Sequence, residues 1–365
     1  MNTFFKSIVA LMVAVFTGLS VGCNNSDSAA EATIKVTENV ETNSHAEKAE
    51  NKNTKGLYLG ARDTVYPAWF KDSFLDFQDD IAEAAEQNKR VMVLFHQENC
   101  PYCNELVEKN LSQKNIEEQL KQQFEVIALN MWGDREVVPI QGESLTEKEF
   151  AKAMKVQFTP TVLFFNEQAQ LALRLNGYLP PDQFKKALDY VSGKHEKTTS
   201  FRDFSASESL QSGSEDLHAE SFFSKPPFEL DQVDNRPIAV FFEQTQCPLC
   251  TTLHAEALSD EVTRKIIKNF YNLQLDMWSD QVVTIPSGKQ MTAKAWAKQL
   301  NVHYAPTIVL FDAQGKEIIR SEAFFKSFHT QSIFDYVASH GYKNESSFQR
   351  YITARADHLR EQGID

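Results

Sequence analysis

"LFHQENCPYCNEL" occupies residues 94–106, and "FFEQTQCPLCTTL" at 241–253 says almost the same thing again. Each stretch puts two cysteines, separated by Pro and one other residue, behind an apolar run. Placing Cys100 on Cys247 extends the match. "LNMWGDREVV" (129–138) pairs with "LDMWSDQVVT" (275–284), and "LTEKEFAKAMKVQFTPTVLFFNEQAQ" (145–170) pairs with "MTAKAWAKQLNVHYAPTIVLFDAQGK" (291–316). The chain carries a duplicated domain. It is not a short-period solenoid, whose units run to about 20–50 residues.

Both copies read alike. "RVMVLF" (90–95) and "PIAVFF" (237–242) are continuous apolar runs, as expected of a strand buried on both faces. The cysteine pair then opens a helix, and "FEVIALNMW" and "FYNLQLDMW" supply a second strand. A loop with a turn glycine (Gly142, Gly288) leads to a helix. In copy 1 this helix starts with a capping-box pair, Thr146 and Glu149. Phe150 and Met154, or Trp296 and Leu300, give it a buried face. A strand directly after Pro160 or Pro306, a hairpin ("DAQG" at 312–315) and a closing helix complete the unit. The order β–α–β–α–β–β–α predicts an α/β protein of two tandem domains, each a mixed sheet flanked by helices, over residues 57–193 and 221–343. Copy 1 opens with an amphipathic helix that places Phe74, Phe77, Ile81 and Ala85 on one side. Pro226-Pro227 forbids such a helix in copy 2. The Ser-, Glu- and Asp-rich stretch 194–220 reads as a linker. Residues 344–365 read as a helix whose apolar stripe, Phe348, Ile352, Ala356 and Leu359, docks on the protein's own body.

Two residues three apart on a helix are neighbours, close enough for a disulfide to form and reopen without moving the fold. The first turn of a helix also has unpaired backbone N–H groups, which favour a thiolate. Cys100 and Cys247 are therefore the expected nucleophiles, and Cys103 and Cys250, one turn inside, the resolving thiols. Pro101 and Pro248 suit a helix start, where a missing N–H costs nothing. The competing reading is a zinc site built from both pairs. It is disfavoured because each pair recurs at its own strand-to-helix junction and looks complete alone.

These motifs resemble the thioredoxin fold, once in each copy. The resemblance implies a cis-proline before the strand that follows the second helix, matched by Pro160 in "FTPT" and Pro306 in "YAPT". Thr159-Pro160 and Ala305-Pro306, within 156–160 and 302–306, would then flank the thiols as the substrate groove. It also implies a buried Asp six residues before the first cysteine. Leu94 and Phe241 stand there instead. Glu98, His96 or Glu243 could replace it as proton acceptor, against the reading that each is a surface residue. His303, in the same loop as Pro306, and Trp132 and Trp278 read as surface and packing residues respectively. More narrowly, "YPAWFKDSF…VLFHQENCPYC…LNMWGDREV…VQFTPTVLFF…LRLNGYLPP" is similar to the SoxW-like periplasmic thioredoxins and their tandem relatives. That implies an exported thiol–disulfide oxidoreductase acting on disulfide-bearing envelope proteins, with no cofactor, re-reduced by a membrane thiol-electron donor of the DsbD type. The Pro-Tyr and Pro-Leu dipeptides differ, so the two pairs are expected to differ in potential.

The N-terminus supports export. Lys6 precedes an apolar run from Ile8 to Leu19, too short to span a bilayer comfortably, so residues 1–22 read as a signal peptide. "LSVGC" resembles a lipobox ending at Cys23, the one cysteine outside the two pairs. The expectation is a lipoprotein held at the inner or outer membrane facing the periplasm, with 23–56 as a polar, flexible tether. A formal net charge of −13 provides no basic stripe for nucleic acid. Two alternatives remain at this point: an oxidase or isomerase, and a copper-binding or redox-inert module. A thiolate pair takes Cu(I) well, but neither copy has methionines close to its cysteines.

Overall fold

A computed structural model describes residues 63–206 and 216–364. Residues 1–22, read above as a signal peptide, Cys23 and the stretch read as a tether lie outside them. In copy 1 the elements run α1 (Phe77–Glu86), β1 (Arg90–His96), α2 (Pro101–Glu105), α3 (Lys114–Gln123), β2 (Phe124–Asn130), β3 (Glu136–Val137), β4 (Leu145–Thr146), α4 (Glu147–Ala153), β5 (Thr161–Phe165), β6 (Leu171–Asn176), α5 (Pro181–Ser192) and α6 (Phe201–Ala206). In copy 2 they run β7 (Phe228–Glu229), β8 (Ile238–Glu243), α7 (Pro248–Thr252), α8 (Glu261–Ile267), β9 (Tyr271–Asp276), β10 (Val282–Thr284), β11 (Gln290–Thr292), α9 (Ala293–Gln299), β12 (Thr307–Phe311), β13 (Glu317–Ser321), α10 (Ser327–Ala338), α11 (Gly341–Asn344) and α12 (Phe348–Glu361).

The main sheets are β2-β1-β5-β6 and β13-β12-β8-β9, the same order read from opposite edges. In each, the strand that precedes the cysteine pair runs parallel to the next main-sheet strand and antiparallel to the one after the X-Pro bond. The continuous apolar runs are explained by two-sided burial. Val91, Val93 and Phe95 of β1 pack toward Phe77 and Phe150, while Met92 and Leu94 pack toward Ile116 and Phe184. In β8, Val240 and Phe242 face Trp296, and Ala239 and Phe241 face Phe334. The anticipated capping box at Thr146 and Glu149 is present.

One expectation about copy 1 is corrected. The opening helix starts only after Asp76, whose side chain accepts from the N–H of Gln78 and Asp79, and Leu75 just before it turns the chain with φ 64°. The buried face is Phe77, Ile81 and Ala84, so Phe74 lies outside the helix and fully exposed, and Ala85 off the stripe. In copy 2 the chain after Pro226-Pro227 forms the short strand β7 beside β10, in place of a helix.

Part of the stretch read as a linker has regular structure: Phe201–Ala206 is a helix with Phe201 and Arg202 buried. It is the counterpart of α12. In both copies the last tyrosine of the closing helix donates to a carbonyl just beyond it, Tyr190 to Thr199 at 2.8 Å and Tyr336 to Glu345 at 2.7 Å. Each tyrosine ring then packs on the first phenylalanine of the trailing helix, Phe201 or Phe348. The duplicated unit thus extends beyond its closing helix.

Candidate functional site

Each cysteine pair sits where β1 or β8 ends and a proline starts the helix. Cys100 and Cys247 are the N-cap residues, and Pro101 and Pro248 the first helical residues. Both pairs are closed, with Cα–Cα separations of 5.2 Å for Cys100–Cys103 and 5.1 Å for Cys247–Cys250. The first sulfur of each pair accepts the backbone N–H of the second cysteine, at 3.1 Å from Cys103 and 3.0 Å from Cys250. That bond stabilises negative charge on the outer sulfur more than on the inner one. Burial ranks them the same way. Cys103 and Cys250 are fully buried, Cys100 is 2% exposed and Cys247 9%. Each helix widens into a π-type stretch just after the pair, Leu106–Leu111 and Leu253–Ala257.

The X-Pro loops complete both sites, and Thr159–Pro160 and Ala305–Pro306 are cis. Cys100 Sγ lies 3.4 Å from the Thr159 hydroxyl and 3.6 Å from the Thr159 carbonyl oxygen. Copy 2 brings Cys247 and Ala305 to one cavity, and Ala305 carries no hydroxyl at the position Thr159 holds in copy 1. Leu94 and Phe241 are core residues. Of the three substitutes considered for the buried Asp, Glu98 is exposed. His96 is half-buried beneath the Tyr66 ring, and burial lowers its pKa to about 4.

Glu243 is not a surface carboxylate. It is 1% exposed and accepts from His254 Nε2 at 2.9 Å and Gln274 Nε2 at 3.0 Å. His254, on the helical turn following Cys250, also meets Glu220 at 3.2 Å. Burial opposes its charge, but hydrogen bonds and the charges of Glu243 and Glu220 raise its pKa overall. An isolated sequence could not show this cluster, because its members come from four separate segments.

Both copies belong to one compact unit, and each covers the other's site. Over Cys100, copy 2 places the Phe325 ring against Tyr102 and Phe158, at 5.3 and 5.2 Å between centroids, and Phe348 against Phe158 at 5.2 Å. The Tyr102 hydroxyl accepts from the Lys326 N–H at 3.0 Å. At the start of α12, Gln349 donates to the Gln157 carbonyl at 3.1 Å and the Phe348 N–H to the Gln157 side chain at 3.1 Å. Over Cys247, copy 1 places Leu179 and α6, with Phe201 beside His303 at 6.3 Å. The two tryptophans are platforms for these trailing helices: Arg350 lies 5.5 Å over Trp132, and Arg202 4.1 Å over Trp278. Arg202 also donates to the Met277 carbonyl. His303 is therefore half-buried at the junction of the copies, where burial lowers its pKa. The signal for these lids was present in "DYVSGKHEKTTSFRDF" (189–204) against "DYVASHGYKNESSFQRY" (335–351), a repeat obscured by the polar residues inside it.

The family profile of the thioredoxin-like domain matches twice, over residues 77–192 and 231–338. The chain belongs to the thioredoxin-like domain family. Among solved structures it is similar to a thioredoxin-fold protein from Helicobacter pylori (16% identity, 40% of this chain and 92% of that one, TM-score 0.31). A thioredoxin from Thermus thermophilus gives 29% identity over 33% of this chain and 85% of its own, with TM-score 0.27. The C-terminal domain of Neisseria meningitidis DsbD in its reduced form gives 16%, 31%, 90% and 0.24 for the same quantities. Comparison with curated proteins found no match. Both thioredoxin-like domains retain their cysteine pair, and among the described residues no helix is long and apolar enough to cross a membrane.

Proposed function

We propose that the protein is an exported thiol–disulfide oxidoreductase that reduces disulfides of other envelope proteins. One observation carries the reading: in both thioredoxin-like domains a closed Cys-Pro-x-Cys pair caps a helix with its outer sulfur on the backbone N–H of the inner cysteine. In the reduced protein the Cys100 thiolate attacks a substrate sulfur. A mixed disulfide forms and the substrate's other sulfur leaves as a thiolate. Cys103 then attacks Cys100 Sγ, releases the second substrate thiol and closes the pair. Two electrons pass to the substrate. The Thr159 hydroxyl faces the attacking sulfur, and the cis-proline loop Thr159-Pro160 is the surface against which a substrate strand would lie. Cys247 and Cys250, with Ala305-Pro306, repeat the arrangement.

The reductive direction, the periplasmic location, the lipid anchor at Cys23 and re-reduction by a DsbD-type membrane donor rest on the resemblance to the SoxW-like proteins and on the N-terminal motif. A protein disulfide reaches Cys100 only when Phe325 and α12 move off Tyr102 and Phe158, so this domain works through an open arrangement. The test is a titration of both pairs in dithiothreitol buffers, read by alkylation and mass spectrometry. A potential for Cys100–Cys103 near about −270 mV supports a reductase, and one near about −120 mV makes the protein a disulfide donor instead.

A further inference from the structure

The two covered sites are not covered equally. Over Cys100 the lid is in ring-to-ring contact with Tyr102, the second of the two residues between the cysteines. Over Cys247 the lid stands off and leaves a cavity of about 190 Å³, lined by Cys247, Ala305, Leu179, Phe201 and Ser205 among others. That is less than the ~300 Å³ at which drug-sized pockets begin. An extended protein strand does not fit, because α6 lies across the loop it would pair with. One amino-acid-sized half of a small disulfide does fit, with its other half at the mouth.

The lining is polar in the way such a ligand requires. Gln183 on α5 adds an amide side chain to the lining. Asp182 and Lys186 place one anion and one cation in the same lining.

We propose that Cys247 and Cys250 act on a low-molecular-weight disulfide bearing amine and carboxylate groups, of the size of cystine, held between the two domains. The proposal rests on the oxidoreductase reading above. The Cys247 thiolate attacks one sulfur of RS–SR, forming Cys247–SR and releasing RS⁻. Cys250 then attacks Cys247 Sγ, releases the second RS⁻ and closes the disulfide. The cysteine pair loses two electrons and the small disulfide gains them, and a dithiol donor restores the pair.

The experiment uses the full chain, reduced and freed of reductant. It follows oxidation of each pair separately by quenched alkylation and mass spectrometry, with cystine, with neutral hydroxyethyl disulfide and with oxidised insulin as protein disulfide. Cystine is expected to oxidise Cys247–Cys250 at least tenfold faster than Cys100–Cys103, and faster than insulin does. Ser205→Trp, which fills the cavity from copy 1, should bring the cystine rate down to that of the other pair. The Cys247–Cys250 potential in dithiothreitol should stay unchanged. Gln183→Leu, a milder change, should slow cystine several-fold and leave hydroxyethyl disulfide alone. Insulin reacting at Cys247 as fast as cystine, or both variants leaving the cystine rate intact, overturns the small-disulfide proposal while the oxidoreductase reading stands. A Cys247–Cys250 pair that never cycles in the titration overturns both for this domain.

Discussion

Thr159 and Ala305 hold the same place in the two copies, and the difference is one hydroxyl 3.4 Å from a reactive sulfur. A hydrogen bond to a charged group contributes roughly 1.5–3 kcal/mol. Thr159→Ala should therefore slow alkylation of reduced Cys100 by about tenfold at neutral pH, at the low end of that range. The reciprocal Ala305→Thr should speed alkylation at Cys247, and rates measured against pH check both. Gly133 poses a different residue-scale constraint. A Cβ there would lie 1.9 Å from Glu147 Oε2, a buried carboxylate that accepts from the Asn130 N–H at 2.9 Å and Arg135 at 2.7 Å. Gly133→Ala should cost about 2–4 kcal/mol in denaturant unfolding. Copy 2 has Ser279 and Ala293 at these positions, so the double change Gly133→Ser with Glu147→Ala should recover much of the loss.

Among the elements, α12 and α6 carry the relation between the copies. Phe348 is fully buried at the start of α12, between Tyr336 of its own domain and Phe158 of the other. Phe348→Ala should cost about 3–5 kcal/mol. It should also raise the alkylation rate of reduced Cys100 at least tenfold, because Gln349 and Phe325 lose their support, while Cys247 stays as slow as before. Equal acceleration at both cysteines would mean general loosening and would remove α12 as a specific cover. The stripe Phe348, Ile352 and Ala356 was legible by its spacing. The groove it covers was not, since nothing in the helix encodes which apolar surface lies opposite.

At the scale of the whole molecule, the contact between copies should respond to acid. His329 packs edge-on against Tyr102 and parallel to Phe325, and burial lowers its pKa to about 4, as it does for His96. An unfolded histidine titrates near about 6.5. Between those values the unfolded chain binds more protons, so stability falls as pH drops from about 6.5 toward 4. His254 has the opposite sign. Its pKa is raised, so its pairing with Glu243 and Glu220 stabilises fully below about 6.5 and is lost as pH rises past its folded value. Melting temperatures across pH should show His329→Phe flattening the acid limb and His254→Gln flattening the alkaline one. Each kcal/mol corresponds to about 2–4 °C. Unchanged limbs would show that neither histidine is coupled to folding.

The sequence by itself determined the fold of each copy. Two-sided strands, Thr146 as a cap, a proline at each helix start and a repeated cysteine spacing are local instructions, satisfied within about 110 residues of chain. It also determined which sulfur of each pair receives a backbone N–H, because that bond is part of the helix start. Tertiary structure decided what faces each pair. Glu243 became a buried partner of His254, Trp132 and Trp278 became seats for arginines of the trailing helices, and one site was filled while the other kept a cavity. The physical reason is that these contacts join residues from separate segments, and their free energy depends on how two finished surfaces fit, which no periodicity along the chain records.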